Sequence, residues 1–365
     1  MDRVGNYYGT TSQGGTANYG AVYKLSRSGS SWVFSPLYNF TGGSDGAYPY
    51  GRVVIGPDGS LYGTTRSGGT GSCQFLAATG CGTVFNLKPT PARPVSVLSF
   101  WKETVLYRFT GGADGAYPDG DLSFDPSGGI YGTAQDGGYR DNGVVYRLAF
   151  ASGTWNYTTL YTFTGDSDGR HASGGVIFDN GGNLYGTTTD GGAGAGKVFQ
   201  LTLSGSTWSE NTLHDFLGGS DGTDPEYGAL IFDSYGNLYG STQADGPGGG
   251  GTVFELTPAG NNWTYTQVYG FSGGGVGGPL GSLMVDADGN LYGTTSANGG
   301  YQNGTAFKLT PSLPGWTQTV LHDFSGGSDG RGPWSNLVFD SNGNLYGTAE
   351  VGGANDKGVV FEITP

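Results

Sequence analysis

The sequence predicts an all-β fold, a β-propeller of about seven four-stranded blades. Three observations predict it. A phrase built on Leu-Tyr-Gly-Thr occurs seven times, and its tyrosines (Tyr8, Tyr62, Tyr131, Tyr185, Tyr239, Tyr292 and Tyr346) are spaced by 54, 69, 54, 54, 53 and 54 residues. A fixed period of this size marks a repeat architecture. Between the phrases, apolar and polar residues alternate with period two, broken by Gly, Asn and Asp, and no helical period is present. Finally, 75 glycines are accompanied by 24 Tyr, 19 Phe and 7 Trp in 365 residues. That much glycine alone suggests low complexity, but a disordered chain is poor in aromatics. Many short strands joined by tight turns satisfy both facts.

Each repeat supplies four strands, here called A to D. In the fifth, strand A is GALIFD (228–233), followed by the turn SYGN and strand B, LYGST (238–242). A glycine loop leads to strand C, TVFELT (252–257), and a short turn to strand D, NWTYTQVYGF (262–271). Strand A is short and apolar, as the crowded axis of a propeller requires; strand D carries Trp and Tyr and suits the rim. The A–B and C–D connections are tight. The B–C and D–A connections are longer, and alternating strand direction puts both on one face, where a site can be built.

The chain reads as a single domain over 1–365. Two local insertions, 71–82 and 89–100, explain the long second interval. A six-bladed ring with an extra N-terminal hairpin is the alternative geometry. The first repeat lacks a strand A and the last a strand D. Three readings follow: a fragment of a longer array, a ring with thin end blades, or strands donated by a neighbouring chain, giving head-to-tail self-association.

Several conspicuous residues are scaffold. Trp32, Trp101, Trp155, Trp208, Trp263 and Trp316 each open strand D and precede a Phe by eight residues. The even spacing puts both rings on one face of the strand, as packing between blades. His214 and His322 replace a repeated Tyr and are scaffold variants. The Asp ending strand A (Asp125, Asp179, Asp233, Asp286, Asp340) opens a D-x-x-G turn and caps backbone N–H groups two residues on.

The net charge of −14 argues against nucleic acid, since no basic run could neutralise phosphates. No apolar run approaches membrane-spanning length. Cys73 and Cys81 bracket the first insertion; a disulfide there fits an oxidising compartment, two unpaired thiols being the alternative.

The stretches LVFDSNGNLYGTA (337–349) and GTVFELTP (251–258) resemble the Gloeo-Verruco (GloVer) tandem repeat of bacterial surface and exported proteins. The resemblance spans essentially the whole chain. It implies an extracellular or cell-surface location and no defined activity, so it assigns no catalytic residue.

Residues off the repeat register carry the functional expectations. Five D–A loops hold Asp-Gly, at Asp45, Asp114, Asp168, Asp221 and Asp329. A ring of such carboxylates would suit Ca²⁺ or sugar hydroxyls; the competing reading is that Asp-Gly is simply the turn the crossover needs. No other cofactor and no metal centre is expected. The same loops hold His171, Trp334, Arg170, Arg331, Tyr48, Tyr50 and Tyr117, and aromatics beside carboxylates and Arg form the usual make-up of a carbohydrate site. Asp168, Asp224 and Glu226 could serve glycoside hydrolysis, and His171 with Arg170 a lyase. The expectation is an exported propeller binding a glycan or polysaccharide. The alternatives are a polysaccharide-degrading enzyme on the same face and a structural protein assembling through its end blades.

Overall fold

The computed structural model describes residues 1–29, 31–90, 101–260, 262–273 and 277–365. Most of the second insertion, 91–100, and part of the D–A loop between the fifth and sixth repeats therefore lie outside the described residues. Seven successive antiparallel sheets form, the blades of a seven-bladed β-propeller. Among the described residues the middle five have four strands, always in the order A-B-C-D, and the first and last have three. The six-bladed alternative does not hold. By compactness the chain divides into two units. One is Met1–Thr164 with Arg170–Gly182 and Leu203–Ser209; the other is Gly165–Gly169 with Asn183–Thr202 and Glu210–Pro365.

The A strands are two residues each: Val54–Ile55, Ser123–Phe124, Ile177–Phe178, Ile231–Phe232, Met284–Val285 and Val338–Phe339. The B strands have five: Tyr7–Thr11, Leu61–Thr65, Ile130–Ala134, Leu184–Thr188, Leu238–Thr242, Leu291–Thr295 and Leu345–Ala349. The C strands are Ala21–Ser28, Thr83–Pro89, Val144–Ala151, Lys197–Ser204, Gly249–Ala259, Thr305–Ser312 and Val359–Ile363. The D strands are Ser31–Asn39, Trp101–Arg108, Thr154–Thr162, Thr207–Asp215, Asn262–Ser272 and Gly315–Asp323.

The repeated phrase has a physical reason at each letter. Its Leu is buried at 0–1% exposure in Leu61, Leu184, Leu238, Leu291 and Leu345. Its Gly faces the strand-C aromatic across the ladder, as Gly63↔Phe85, Gly132↔Tyr146 and Gly240↔Phe254. A Cβ on Gly240 would come within 2.5 Å of the Phe254 ring, and one on Gly132 within 2.5 Å of the Tyr146 hydroxyl. Glycine is there to let that ring lie flat on the strand. Its Tyr reaches back over the A–B turn, where Tyr131, Tyr239, Tyr292 and Tyr346 donate to the turn carboxylates Asp125, Asp233, Asp286 and Asp340. Those carboxylates also accept backbone N–H groups two residues on, from Ser127, Tyr235, Asp288 and Asn342, at 2.8–3.0 Å. The expected turn role is met. Asp2 holds Val4, Asn6 and Tyr8 in the same way ahead of the first B strand.

One expectation about strand D fails. Trp and Phe eight residues apart do not share a face. In five sheets the C–D ladder slips by one residue, as where Tyr146 pairs with Thr159 but Val145 with Tyr161. This is a β-bulge, which adds one residue to one strand and inverts the side-chain alternation beyond it. Its consequence is visible in the ring contacts. Trp101, Trp155, Trp263 and Trp316 pack edge-on against the B-strand tyrosine of the preceding blade, Tyr8, Tyr62, Tyr185 and Tyr239. Phe40, Phe109, Phe216, Phe271 and Phe324 pack instead on the strand-C ring of the following blade, Phe85, Tyr146, Phe254, Phe307 and Phe361. The aromatics are packing between blades, as expected, but the two ends of strand D serve opposite neighbours.

Candidate functional site

The long loops meet as the strand order requires. D–A residues bridge to residues just after the B strand: Ala47↔Ser67, Ala116↔Asp136, Thr223↔Ala244 and Arg331↔Val351. The root of four D–A loops is fixed by an Asp. Asp45 accepts the Tyr38 hydroxyl at 3.0 Å, the Thr41 N–H at 2.8 Å and the Thr41 hydroxyl at 2.6 Å. Asp114 is held likewise by Tyr107 and Thr110, and Asp329 by His322 and Ser325. Asp221 takes His214 Nε2 at 3.1 Å and the Leu217 N–H. These four carboxylates work as turn locks, and His214 and His322 stand in for tyrosine as donors. Although slight burial pushes Asp329 up, the Ser325 and His322 hydrogen bonds outweigh it and hold it down at about 2.

Past that root the backbone repeats but the side chains do not. Tyr48, Tyr117, His171, Asp224 and Gly332 fall at one position, with φ of 57, 54, 58, 55 and 63°. This left-handed conformation suits glycine and is uncommon for tyrosine. Two residues later stand Tyr50, Asp119, Ser173, Glu226 and Trp334; after the B strands of the same five repeats stand Arg66, Gln135, Thr189, Gln243 and Glu350.

In the first unit these positions build a cluster around Arg66. Its guanidinium pairs with the buried Asp119 carboxylate and donates to Gln135 Oε1 at 3.0 Å. It lies over three rings, 4.4 Å from the centroid of Phe75, 5.2 Å from Tyr117 and 5.6 Å from Tyr50. Phe75 belongs to no repeat. It is carried by a hairpin within the first insertion, Gln74–Phe75 paired with Ala78–Thr79, closed by the Cys73–Cys81 disulfide. The disulfide expectation is met. Ser67 Oγ ties the hairpin to the blade through the Ala78 and Gly80 carbonyls, and Tyr117 donates its hydroxyl to Gln74 O at 3.2 Å. Tyr50 is 41% exposed and Leu76, at the hairpin tip, 57%. Tyr48 is buried beneath the hairpin, so its ring is packing there.

Beside the cluster, His171 Nε2 lies 3.7 Å from Asp136 Oδ1, both side chains partly exposed. Burial, then the Asp141 charge, pushes the Asp136 carboxyl up, against the lowering charges of His171 and Arg66. Arg170, the preceding residue, is exposed.

In the second unit, Asp224 is raised by burial and by the charges of Asp190 and Asp245. Asp168 is buried and sits close enough to Glu210 to raise it. Asp224 and Asp168 thus have different electrostatic neighbours. Glu226 is half-buried; Trp334 and Arg331 are exposed. A Cβ on Gly332 would stand 3.5 Å from Trp334 Nε1 and 3.9 Å from Glu350, so those two side chains flank one backbone node. Among the described residues, no group of three or more His, Cys, Asp or Glu converges to hold a metal ion.

Arg66, Phe75, Asp119 and Gln135 were not among the expected site residues. The available signal was positional: within the B strand the seven phrases differ by a few substitutions, whereas the residue after it (Ser12, Arg66, Gln135, Thr189, Gln243, Ser296 or Glu350) varies widely.

Blades that keep one scaffold and vary the residues of one loop face define a tandem-repeat β-propeller. A profile described as the Gloeobacter/Verrucomicrobia repeat matches residues 1–192, 71–284 and 264–365, and the chain belongs to that family. Solved structures share the fold at low identity. A candidate 6-phosphogluconolactonase from Bacteroides uniformis has a TM-score of 0.57 at 14% identity, covering 94% of this chain and 89% of its own. One from Bacteroides fragilis has 0.55 at 13%, covering 97% and 92%. A protein of unknown function from Dyadobacter fermentans has 0.51 at 14%, covering 85% and 92%. No match was found among curated proteins. Among the described residues, no helix is long and apolar enough to cross a membrane.

Proposed function

We propose that the protein is a glycan-binding module, exported to an oxidising compartment, whose first unit binds sugar at the Arg66 cluster. One observation carries this reading: a disulfide-closed hairpin delivers Phe75 to Arg66 alongside Tyr50 and Tyr117. A pyranose offers an apolar C–H face and a rim of hydroxyls. Exposed aromatic surface suits the face, and fixed polar groups suit the rim. Tyr50 and Leu76 supply apolar surface; Gln135, Asp136 and His171 supply partly exposed donors and acceptors. Arg66, neutralised by Asp119, acts as a rigid support for the rings more than as an anion receptor. The Cys73–Cys81 bond supports export.

The test is calorimetric titration with oligosaccharides from plant, algal and bacterial polysaccharides, with products monitored by mass spectrometry. Saturable binding without products, lost in Tyr50→Ala and Phe75→Ala, is the expected result. Binding that survives both substitutions would overturn the site. New oligosaccharide products would replace the reading with a catalytic one.

A further inference from the structure

The fourth repeat departs from the others at the first residue of strand C. The equivalent residues are Ala21, Thr83, Val144, Thr252, Thr305 and Val359; here it is Lys197. Its side chain is 2% exposed, yet it carries an amine. Burying an ammonium is costly without close partners. Two are present. Nζ lies 2.5 Å from Asp215 Oδ1 at the end of strand D, and it donates to Thr212 Oγ1 at 3.3 Å. Thr212 in turn donates to Glu210 Oε1 at 2.9 Å. The blade register explains the meeting: in the sixth blade the same ladder sets Thr305 opposite Asp323. Gly192, at φ 59°, lies over the pair so closely that a Cβ there would strike both Lys197 and Asp215.

An amine desolvated against a carboxylate, with a second carboxylate one hydroxyl away, is the layout for condensation. We infer that Lys197 and Asp215 join through an isopeptide bond formed by the folded chain itself, with Glu210 as the proton carrier. The ammonium passes a proton through Thr212 to Glu210. The neutral nitrogen then attacks Asp215 Cγ, and the C–N bond forms. Glu210 returns its proton to a carboxyl oxygen, a second proton follows from the nitrogen, and the C–O bond breaks with release of water. Ammonium and carboxylate become amide and water, and nothing is oxidised or reduced. Holding the two groups in contact supplies the effective concentration that free amine and acid lack in water.

The surroundings fit. Burial, with the Asp168 and Asp215 charges, pushes the Glu210 carboxyl up against the opposing Thr212 hydrogen bond and Lys197 charge, which makes it a better proton acceptor. The Asp215 side chain is 43% exposed, so the water can leave. The product would remove two charges from the blade edge and staple strands C and D of that blade.

Intact mass spectrometry of the reduced, denatured chain tests this directly. The expected mass is lower than that of the sequence by about 18 Da, one water, and trypsin fails to cut after Lys197. Glu210→Gln keeps both reacting groups and is expected to run at the full sequence mass, as is Lys197→Met. A wild-type chain at full mass, cut normally after Lys197, would overturn the proposal and leave an ordinary buried ion pair. Wild type and Glu210→Gln both lacking one water would retain the bond and remove Glu210 from its formation.

Discussion

The A–B turns and the D–A loops use the same device to different ends. In both, an Asp accepts nearby backbone N–H groups and the hydroxyl of a tyrosine, as Asp125 does from Tyr131 and Asp114 from Tyr107. The A–B turn stops there: Asp-x-x-Gly, Asn or Gly, then the next strand, almost unchanged from repeat to repeat. The D–A loop locks its root the same way and then runs on to a left-handed residue that is Tyr in two loops and His, Asp or Gly in three others. A repeat protein can thus vary one loop face without loosening it, because the variable residues are mounted on a turn that is already fixed.

That contrast can be broken most sharply on the scaffold side. Gly240→Val should be the most damaging single change, since its Cβ meets the Phe254 ring at 2.5 Å and a β-branched side chain adds two further methyl groups there; overpacking typically costs about 1–3 kcal/mol, and this site lies at or beyond the top of that range. Urea denaturation measures it, and a loss under about 1 kcal/mol would mean the ring can move aside. Phe216→Ala, at a fully buried position between blades four and five, should cost about 3–4 kcal/mol.

On the loop side the ranking should invert. Tyr50→Ala should lower sugar affinity by about tenfold or more, the usual effect of removing an aromatic anchor, while changing denaturation midpoints little. Cys73→Ser with Cys81→Ser should also weaken binding, by freeing the hairpin that holds Phe75. If instead these changes unfold the chain, the loop face is part of the scaffold and the distinction fails.

The smallest effects are in pH dependence, and they run in opposite directions. Although partial burial pushes Asp125 up, the Ser127, Gly129 and Arg147 hydrogen bonds and the Arg147 charge hold it down at about 2. Its folded value lies below its unfolded one, so its stabilisation is present above about pH 4 and fades as pH falls toward 2. Glu103, in strand D of the second blade, is pushed up to about 7 by burial and by the Asp45 charge. Its folded value lies above its unfolded one, so its contribution is full below about pH 4 and is lost as pH rises through 7. Asp125→Asn should flatten the acid limb of the stability profile and Glu103→Gln the neutral one, each read from melting temperature against pH.

The sequence made the strands and most of the scaffold legible because their signals are local and repeated seven times. Asp125, Asp233 and Asp340 announce their turns by spacing alone. The bulge was not legible. Alternation read through Trp155 to Phe163 assumes an unbroken ladder, and one unpaired residue leaves no mark in the spacing while reversing the conclusion. The site was half legible. Tyr50 and Tyr117 stand out as off-register aromatics. Phe75 reaches them only because an insertion found in one repeat folds back, and Arg66 only because its strand ends beneath. Tyr48 and Tyr117 share the same local sequence, Gly-Ala-Tyr-Pro, yet one ring is buried and the other half-buried, which no local reading distinguishes.

The bulge in strand D has a consequence for how such a chain can change in evolution. Because it turns Trp toward one neighbour and Phe toward the other, a blade with a bulged strand D has a front and a back, and such blades fit in one sense only. Whole repeats can be duplicated or lost, and the tips of loops can lengthen, as the second interval of 69 residues shows. The distance from Trp to Phe cannot drift by one residue, since that would exchange front for back. The eight-residue interval is a ratchet tooth, permissive to copying and closed to gradual revision.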